Sequence, residues 1–538
     1  MATTIGTNRR GHSKTRAGRA RKRLTRRQGL PKPGGELGAR VKRVGVERFA
    51  LVCVDPAKRR SEWMMSDYFG NVLIGPETLE HQPAFFELAA QRVRLAQRQH
   101  GIEDLIVTVE RTGNLHLAPQ RAFAQAGFET RVVHPFAVKQ FRLPADPGNK
   151  TDHTDLLAQH RAAIAGLALA EPQFDERHRR LQLRVRHRRD LVGKASGTAC
   201  RIREHLHLAL PGYAELFSDF FTHRAARAIA RLCESPQAML AFGAAGLKSM
   251  LRERQIAFQM RTLDKVLAWA RQAAGRTPDP DGPLHHAIAV DLDQLYDHLR
   301  DHVFAVERGI AGDLVRTPYV RLMALPGIAV VSAGEFGGEM GPIANYANAN
   351  AITGRSGLFP SRYQSDETDH ADGPLVRQSN RRLRGALMRI ADNLVKCNNH
   401  YRGQAECDRA RGVDERALRV KAAKRFSRLA FACAAGDRPL KHPAVASPDS
   451  ILEKLRKFHH EHHTPPAAAL ADLEAVVDQL IPEARHHEAR IVAEVLEHQA
   501  KRRRGPTQLG ELLPAVLARL RVGGANHVQS DSGGLVAD

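Results

Sequence analysis

Residues 48–55, RFALVCVD, decide the fold class of the first part of the chain. This run is short, apolar and rich in β-branched residues, and it ends in an acid, which is the pattern of a buried strand. Further strands are predicted at SDYFGNVLIG (66–75), IEDLIVTVE (102–110) and TRVVHP (130–135), and helical periodicity is found at 83–99. Strands that alternate with helices predict an α/β fold, a sheet covered by helices.

Changes in composition divide the 538 residues into five predicted segments. Residues 1–44 are predicted to be a disordered basic arm, and 45–172 the α/β domain. Residues 173–318 lose the strand signal, and their apolar residues recur every three, four or seven positions, which predicts helices able to pair as a coiled coil. Residues 319–435 are predicted to form a mainly α domain punctuated by glycine, and 436–538 a helical extension with a disordered tail.

The charge of the chain predicts a polyanion as its partner. The sequence has 82 Lys and Arg against 58 Asp and Glu, a formal net charge of +24, and its hydrophobic fraction of 43% excludes a wholly disordered protein. A basic concentration outside the N-terminal arm lies on one predicted helix, at Arg177, Arg179, Arg180, Arg184, Arg186, Arg188 and Arg189. For this helix, contact with nucleic acid and a merely solvated face both remain open.

The sequence also predicts where the protein resides. Its longest apolar runs fall short of the roughly 18 residues that span a bilayer, and the arginine-rich N-terminal region lacks the apolar core of a secretory signal. The six cysteines are scattered without a CxxC pair, which suits a reducing compartment. We therefore expect a cytoplasmic protein with no membrane partner.

Four acids carry the strongest functional signal. Asp55 ends the first strand, Glu110 ends a later strand, and Asp152 and Asp155 lie three residues apart on a helix predicted at 151–169, so they share a face. Carboxylates at neighbouring strand ends and on a crossing helix can converge, and carboxylate oxygen is the ligand that Mg²⁺ prefers. Two such ions clamp the attacking and leaving oxygens of a phosphodiester. The set predicts nuclease or transposase chemistry, although each acid alone also fits a turn, an ion pair or a helix cap.

Several segments resemble the transposases of the insertion-sequence family one-ten, also called DEDD transposases or bridge-RNA-guided recombinases. The segments, each with the family pattern that it resembles, are DPAK at 55–58 (D-x-x-K), VERTG at 109–113 (E-x-T-G), KTDHTD at 150–155 (K-T-D-x-x-D), LPGIA at 325–329 (P-G-I-G) and GLFPSRYQSD at 357–366 (G-L-x-P…Q-S-G). Together they span roughly residues 46 to 435, in the family's order.

The resemblance implies a two-part active site. Residues 45–172 would have a RuvC-like, ribonuclease-H-like fold whose acids Asp55, Glu110, Asp152 and Asp155 bind magnesium. The site would hold two Mg²⁺ ions, and Mn²⁺ could replace them. The mainly α domain at 319–435 would be the family's C-terminal transposase domain, and it would supply a serine nucleophile that forms a covalent phosphoserine intermediate with DNA.

The match to Q-S-G assigns that nucleophile to Ser365. Ser356 and Ser361 lie nearby, and Asp366 stands where the family usually has glycine, which adds a negative charge beside the serine. LPGIA also lacks the second glycine of the family's P-G-I-G.

The resemblance further implies the partners of the protein. It would act on double-stranded DNA, both element ends and target, with a non-coding guide RNA, as a homodimer or homotetramer associated with a prokaryotic nucleoid. Two other hypotheses remain: a metal-dependent nuclease of the junction-resolvase type, which needs the acids but no serine, and a nucleic-acid-binding protein without enzymatic activity. The histidine-rich segments HHEHH (459–463) and RHHEAR (485–490) are interpreted as non-metal segments, the first of them in a loop.

Overall fold

The structure is a computed structural model of the full chain. It describes residues 35–145, 148–171, 174–277, 279–365, 368–370, 373–436, 442–445 and 450–479. The chain forms two compact units, Met1–Pro172 and Gln173–Asp538. Four features singled out in the sequence lie outside the described residues: most of the predicted basic arm (1–34), Asp366, RHHEAR, and the predicted tail together with the predicted extension beyond residue 479.

The first unit is built on one six-stranded mixed sheet. Its strands are β1 (Phe49–Pro56), β2 (Arg60–Asp67), β3 (Val72–Glu80), β4 (Asp104–Glu110), β5 (Thr130–Val133) and β6 (Ala168–Leu169). They lie in the order β3-β2-β1-β4-β5-β6, in which β1, β4 and β5 run parallel and each of the others is antiparallel to its neighbours. The prediction of an α/β sheet from the alternating strand and helix patterns is confirmed.

Helices cover both faces of this sheet. They are α1 (Gly35–Val44), α2 (Pro83–Gln99), α3 (Leu117–Gln125), α4 (Pro135–Arg142) and α5 (Asp152–Ala162). Alternate residues of β1 belong to two different cores: Leu51 lies with Leu156 of α5, and Val52 lies with Val93 of α2. RFALVCVD is a nearly continuous apolar run because β1 is buried on both faces.

The prediction of a disordered arm up to residue 44 is wrong for residues 35–44. These residues form α1, whose Leu37, Val41 and Val44 are spaced by four and three and are buried on one face. Arg40 of α1 donates from Nε to Oδ2 of Asp104 at 2.8 Å, and this contact lowers the pKa of Asp104. Three apolar residues in an arginine-rich segment are thus enough to form the buried face of α1.

Two other element boundaries differ from those predicted. SDYFGNVLIG is not a single strand, because a turn at residues 68–71 separates β2 from β3; the Asp67 carboxylate accepts from the backbone N–H and the side chain of Asn71, and Gly70 has a φ of 94°. The helix predicted at 151–169 ends at Ala162, and a π-helical turn with Gly166 at a φ of 83° leads into β6.

The second unit is mostly helical. Its helices are α6 (Glu176–Ala209), α7 (Arg224–Leu232), α8 (Pro236–Glu253), α9 (Met260–Ala273), α10 (Gly282–Leu314), α11 (Val330–Met340), α12 (Ala349–Ser356), α13 (Arg381–Cys397), α14 (Asn399–Ala410), α15 (Glu415–Ala435), α16 (Ser450–Glu461) and α17 (Pro466–Gln479). Between α12 and α13 the short strands β7 (Tyr363–Ser365) and β8 (Thr368–His370) pair antiparallel. No helix of the described ranges is both long and apolar enough to cross a membrane.

The long helices α6 and α10 pack side by side within the same chain. They run antiparallel, because Arg188 contacts Glu307 near one end of the pair and His205 contacts His285 near the other. The shorter helices between them, α7 to α9, pack with the C-terminal part of α6 in a core of their own. The heptad-like spacing in this region therefore reflects an intramolecular helix pair.

The arginine run of α6 is largely engaged in ion pairs inside the unit. The pairs are Arg180 and Arg184 with Asp313, Arg186 with Glu339, and Arg188 with Glu307 and Glu335. All four of these carboxylate residues are buried. Because a buried carboxylate needs a charged partner, these arginines hold α6 to α10 and α11.

The helices α16 and α17 belong to the core of the second unit. Leu455, Phe458 and Val476 are buried in the same cluster as residues of α11 and α13. Lys454 donates from Nζ to the backbone carbonyls of Met323, Leu325 and Ile328 at 2.6, 2.8 and 2.9 Å. It therefore holds the backbone of the LPGIA segment against α16. Burial lowers the pKa of Lys454 to about 8.

The placement of HHEHH in a loop is wrong. His459 and His460 lie in the last turn of α16, and His459 and His462 are buried. His462 contacts Oε2 of Glu307 through Nε2 at 2.6 Å. Through this contact the residue that follows α16 is linked to α10.

Candidate active site

Asp55 and Glu110 lie at the same edge of the sheet. β1 and β4 are adjacent and parallel, with Val54 beside Val109 in the ladder. The next residue on each strand is the acid, so the two carboxylates leave neighbouring strand ends. Both side chains are half-buried.

The helix α5 brings the other two acids to this edge. Thr151 caps the helix in a capping box with Thr154, which places Asp152 and Asp155 in its first turn. Their charges are favourable there because the N-terminus of a helix carries partial positive charge. Further along α5, Gln159 donates from Nε2 to Oγ1 of Thr108 at 3.1 Å, which fixes the helix to β4 two residues before its terminal acid.

Electrostatic repulsion couples these carboxylates to one another. Burial, together with repulsion from Asp155 and Asp152, raises the pKa of Asp55 to about 6. Burial raises the pKa of Glu110 to about 7, with Asp55 and Asp155 as additional causes. All four predicted acids therefore contribute to one electrostatically coupled group at the end of the sheet.

Two cations near this group were not assigned a role from the sequence. Arg142, at the end of α4, donates from Nη1 to Oδ1 of Asp155 at 2.8 Å, and the Lys150 ammonium lies 3.8 Å from Oδ2 of the same residue. Lys150 was visible as the first residue of KTDHTD, whereas no local signal distinguishes Arg142, since it meets Asp155 only through the packing of α4 on α5.

The residues fit a divalent metal ion by their chemistry. Among the described residues, no three His, Cys, Asp or Glu side chains stand as a ready set of ligands for one ion. The donors offered here are nevertheless all carboxylate oxygens, which hard cations such as Mg²⁺ and Mn²⁺ prefer. The repulsion between Asp55, Glu110 and Asp155 is a cost that a bound cation would remove.

The three candidate serines differ in accessibility. Ser356 is fully buried and donates to the Thr353 carbonyl at 3.2 Å, while Ser361 donates to the Pro374 carbonyl at 2.9 Å. Ser365 is exposed at the end of β7 and forms no side-chain hydrogen bond with the described part of the chain. Of the three, only Ser365 has both an accessible side chain and an uncommitted hydroxyl among the residues described.

Comparison with known families identifies the class of protein as a transposase. Residues 52–211 match the profile of the DEDD transposases of the IS110 type, and residues 319–406 match the profile described as the transposase IS116/IS110/IS902 family. The chain is a transposase of the IS110 family, an enzyme of DNA transposition whose substrate is DNA. DEDD transposases typically use divalent metal ions. No curated protein matches the chain at a significant level.

Replacing Glu110 with Gln is expected to stabilise the metal-free protein. A carboxyl with a folded pKa of about 7, above its ordinary value of 4.5, makes stability fall as the pH rises from 4.5 through 7. Removing that charge should raise the free energy of unfolding by about 1 kcal/mol at pH 8, after a discount for solvent screening. Urea denaturation in EDTA at pH 5 and pH 8 measures it.

The gain should be larger at pH 8 than at pH 5, and Mg²⁺ should raise the denaturation midpoint of the wild type more than that of Glu110→Gln. Glu80→Gln, on the edge strand β3, provides the control with no expected gain. Equal effects of Glu110→Gln at both pH values would show that the crowding of carboxylates does not strain the fold.

Proposed function

We propose that this transposase is a DNA recombinase that cuts and rejoins strands with a metal-binding acid tetrad and a serine nucleophile. Asp55, Glu110, Asp152 and Asp155 would hold two Mg²⁺ ions, or Mn²⁺, and Ser365 would attack DNA. The observation that carries the proposal is the coupled group of carboxylates at the carboxyl ends of β1 and β4, joined there by the first turn of α5.

The sheet supports the ribonuclease-H-like part of the proposal. Its first three strands form an antiparallel meander, and β4 and β5 then add in parallel on the other side of β1. This arrangement puts two acids side by side on the central strands and leaves the helix α5 to cross their ends. It fits the RuvC-like fold that the resemblance implies for this part of the chain.

In the proposed reaction Ser365 Oγ attacks the scissile phosphate. The Oγ–P bond forms while the bond from phosphorus to a deoxyribose oxygen breaks, and the serine proton passes to the departing hydroxyl. The phosphoserine keeps the energy of the broken bond, so a hydroxyl of another DNA strand can attack it and restore the free serine. When bound, the metal ions supply Lewis-acid stabilisation of the charge that develops on the phosphate.

The protein's own residues prepare the site for that chemistry. Arg142 and Lys150 hold the Asp155 carboxylate in place at the edge of the group. The contact between Gln159 and Thr108 fixes the angle at which α5 crosses the strand ends. The proposal includes a non-coding guide RNA, a dimeric or tetrameric assembly and association with the nucleoid, as in the family that the chain resembles.

A strand-transfer assay with the full chain tests the proposal. The protein is incubated with the RNA transcribed from the DNA flanking its gene, donor and target DNA, and Mg²⁺, with EDTA as the control. We expect a denaturation-resistant protein–DNA adduct and recombinant product, both lost in EDTA. Cleavage without an adduct would favour a ribonuclease-H-like nuclease, and binding without cleavage would favour a protein without enzymatic activity.

A further inference from the structure

The segment that carries Ser365 is a long two-armed hairpin. The outgoing arm begins at Gly357, directly after α12, and the returning arm ends at Asn380, directly before α13. Backbone hydrogen bonds pair the two arms. The bonds are Val376 N–H to the Phe359 carbonyl (3.2 Å), Ser361 N–H to the Pro374 carbonyl (2.8 Å) and Gly373 N–H to the Ser361 carbonyl (3.1 Å). β7 and β8 continue this pairing outward, so Ser365 lies far from the base.

Leu358 buries the start of the serine-bearing arm in the core, but the outer part of that arm has little packing of its own. Tyr363, Gln364 and Ser365 are all exposed along β7. A two-stranded ribbon without a covering element is only marginally stable in water. The direction in which the serine points is therefore set where the hairpin joins the helical core.

At that base, Arg384 ties both arms together. From the first turn of α13 it donates from Nε to the Ser356 carbonyl at 2.8 Å, and from Nη2 to the Val376 carbonyl and to Oγ of Ser379. Ser356 lies immediately before the outgoing arm, whereas Val376 and Ser379 lie on the returning arm. One guanidinium thus joins the two arms at their origin.

The surrounding residues are shaped around this guanidinium. Gly357 has a φ of 63°, and a Cβ there would clash with Nη2 of Arg384 and lie 2.7 Å from Cβ of Ser379. The backbone N–H of Asn380 donates to the Arg355 carbonyl at 2.9 Å, which closes the base from the other side. A planar guanidinium can reach three acceptors in fixed directions, and a lysine ammonium cannot reproduce this fork.

We propose that Arg384 is a positioning residue for the serine step, acting as a clasp that sets the direction of the hairpin and hence the position of Ser365. This inference rests on the proposed role of the serine. At about 3.3 Å per residue, the outgoing arm spans roughly 25 Å, so a tilt of about 10° at the base moves the serine by about 4 Å. A nucleophile displaced by even 1 Å loses much of its rate, because attack needs near-contact alignment.

The test compares the rate of adduct formation in full-length variants at saturating DNA and Mg²⁺. Arg384→Gln is expected to lower this rate about 30-fold or more, with the DNA concentration at half-saturation changed less than about twofold. Arg384→Lys is expected to recover only a small part of the rate. If Arg384 only stabilised the fold, its replacement would not lower the rate at saturating DNA while leaving the DNA concentration at half-saturation nearly unchanged.

A matched control arginine is available in the same unit. Arg321 also donates to backbone carbonyls, those of Gln479, Cys433 and Gly436, in a different part of the core. Arg321→Gln should lower the melting temperature to a similar degree but leave the saturated rate within about threefold of wild type. If Arg384→Gln does not fold, Ser379→Ala removes one acceptor of the clasp and should still lower the rate about threefold to tenfold.

The outcomes separate this inference from the proposed function. If the wild type forms an adduct that Ser365→Ala abolishes, yet folded Arg384→Gln or Ser379→Ala matches the Arg321→Gln control, the clasp is refuted and the serine assignment stands. If Ser365→Ala still forms the adduct, or the wild type forms none, the serine assignment is refuted and the clasp inference with it.

Discussion

Asp55→Asn is expected to lower the rate of strand transfer about 10³-fold while the protein stays folded and binds DNA. The substitution removes one carboxylate of the tetrad and keeps the size of the side chain, so the loss reflects charge at the metal site rather than packing. Because Asp55 is repelled by Asp155 and Asp152, its neutralisation should not destabilise the fold. The measurement is the yield of recombinant DNA over time, with thermal melting of the same samples.

The neighbouring acid Glu62 supplies the matched control. Glu62 lies opposite Asp55 in the β1–β2 ladder and also raises the pKa of Asp55, yet it is outside the proposed tetrad. Glu62→Gln should retain strand transfer within about threefold of wild type. Undiminished recombination by Asp55→Asn would remove the strand-end acids from the proposed mechanism.

Ser365→Ala is expected to abolish the covalent protein–DNA adduct altogether. The alanine variant has no oxygen at the position that would bond to phosphorus, so the loss should exceed about 10³-fold. Since Ser365 is exposed and its side chain makes no hydrogen bond with described residues, its melting temperature should not change. Labelled DNA that migrates with the protein after denaturation measures the adduct.

Two nearby serines test whether the effect is specific. Ser356→Ala should retain the adduct, because Ser356 is buried within the end of α12, and Ser361→Ala should retain most of it, because its hydroxyl only bonds the returning arm. An adduct that persists in Ser365→Ala and disappears in either of the other variants would move the nucleophile to that residue.

The α/β fold and the strand-end acids were predictable because they depend on local pattern. A strand buried on both faces must be apolar throughout, and an acid directly after such a strand must lie at the edge of the sheet. Two strands that end in acids therefore point to one edge once the sheet is known to be parallel there. Arg142 was not predictable, since its contact with Asp155 arises only when α4 packs on α5.

The errors in element boundaries have equally physical causes. The hairpin turn after Asp67 depends on side-chain bonds to Asn71 and a glycine with positive φ, and hydrophobic periodicity contains neither. The helix α1 forms because three apolar residues find a core to cover, in a segment whose composition alone indicates disorder. Among the serines, the resemblance favoured Ser365, whereas the burial of Ser356 and the hydrogen bond from Ser361 to the Pro374 carbonyl arise only in the folded chain.

The ion pairs along α6 bear on how salt affects nucleic-acid binding. Each lysine or arginine that neutralises a phosphate releases counterions, and the slope of log affinity against log salt concentration counts those contacts. Four guanidinium groups of α6 are already paired with buried carboxylates of the same chain, so they are not free to neutralise phosphates and displace the ions condensed on DNA. We therefore expect the salt dependence of nucleic-acid binding to be shallower than the number of arginines in the sequence implies.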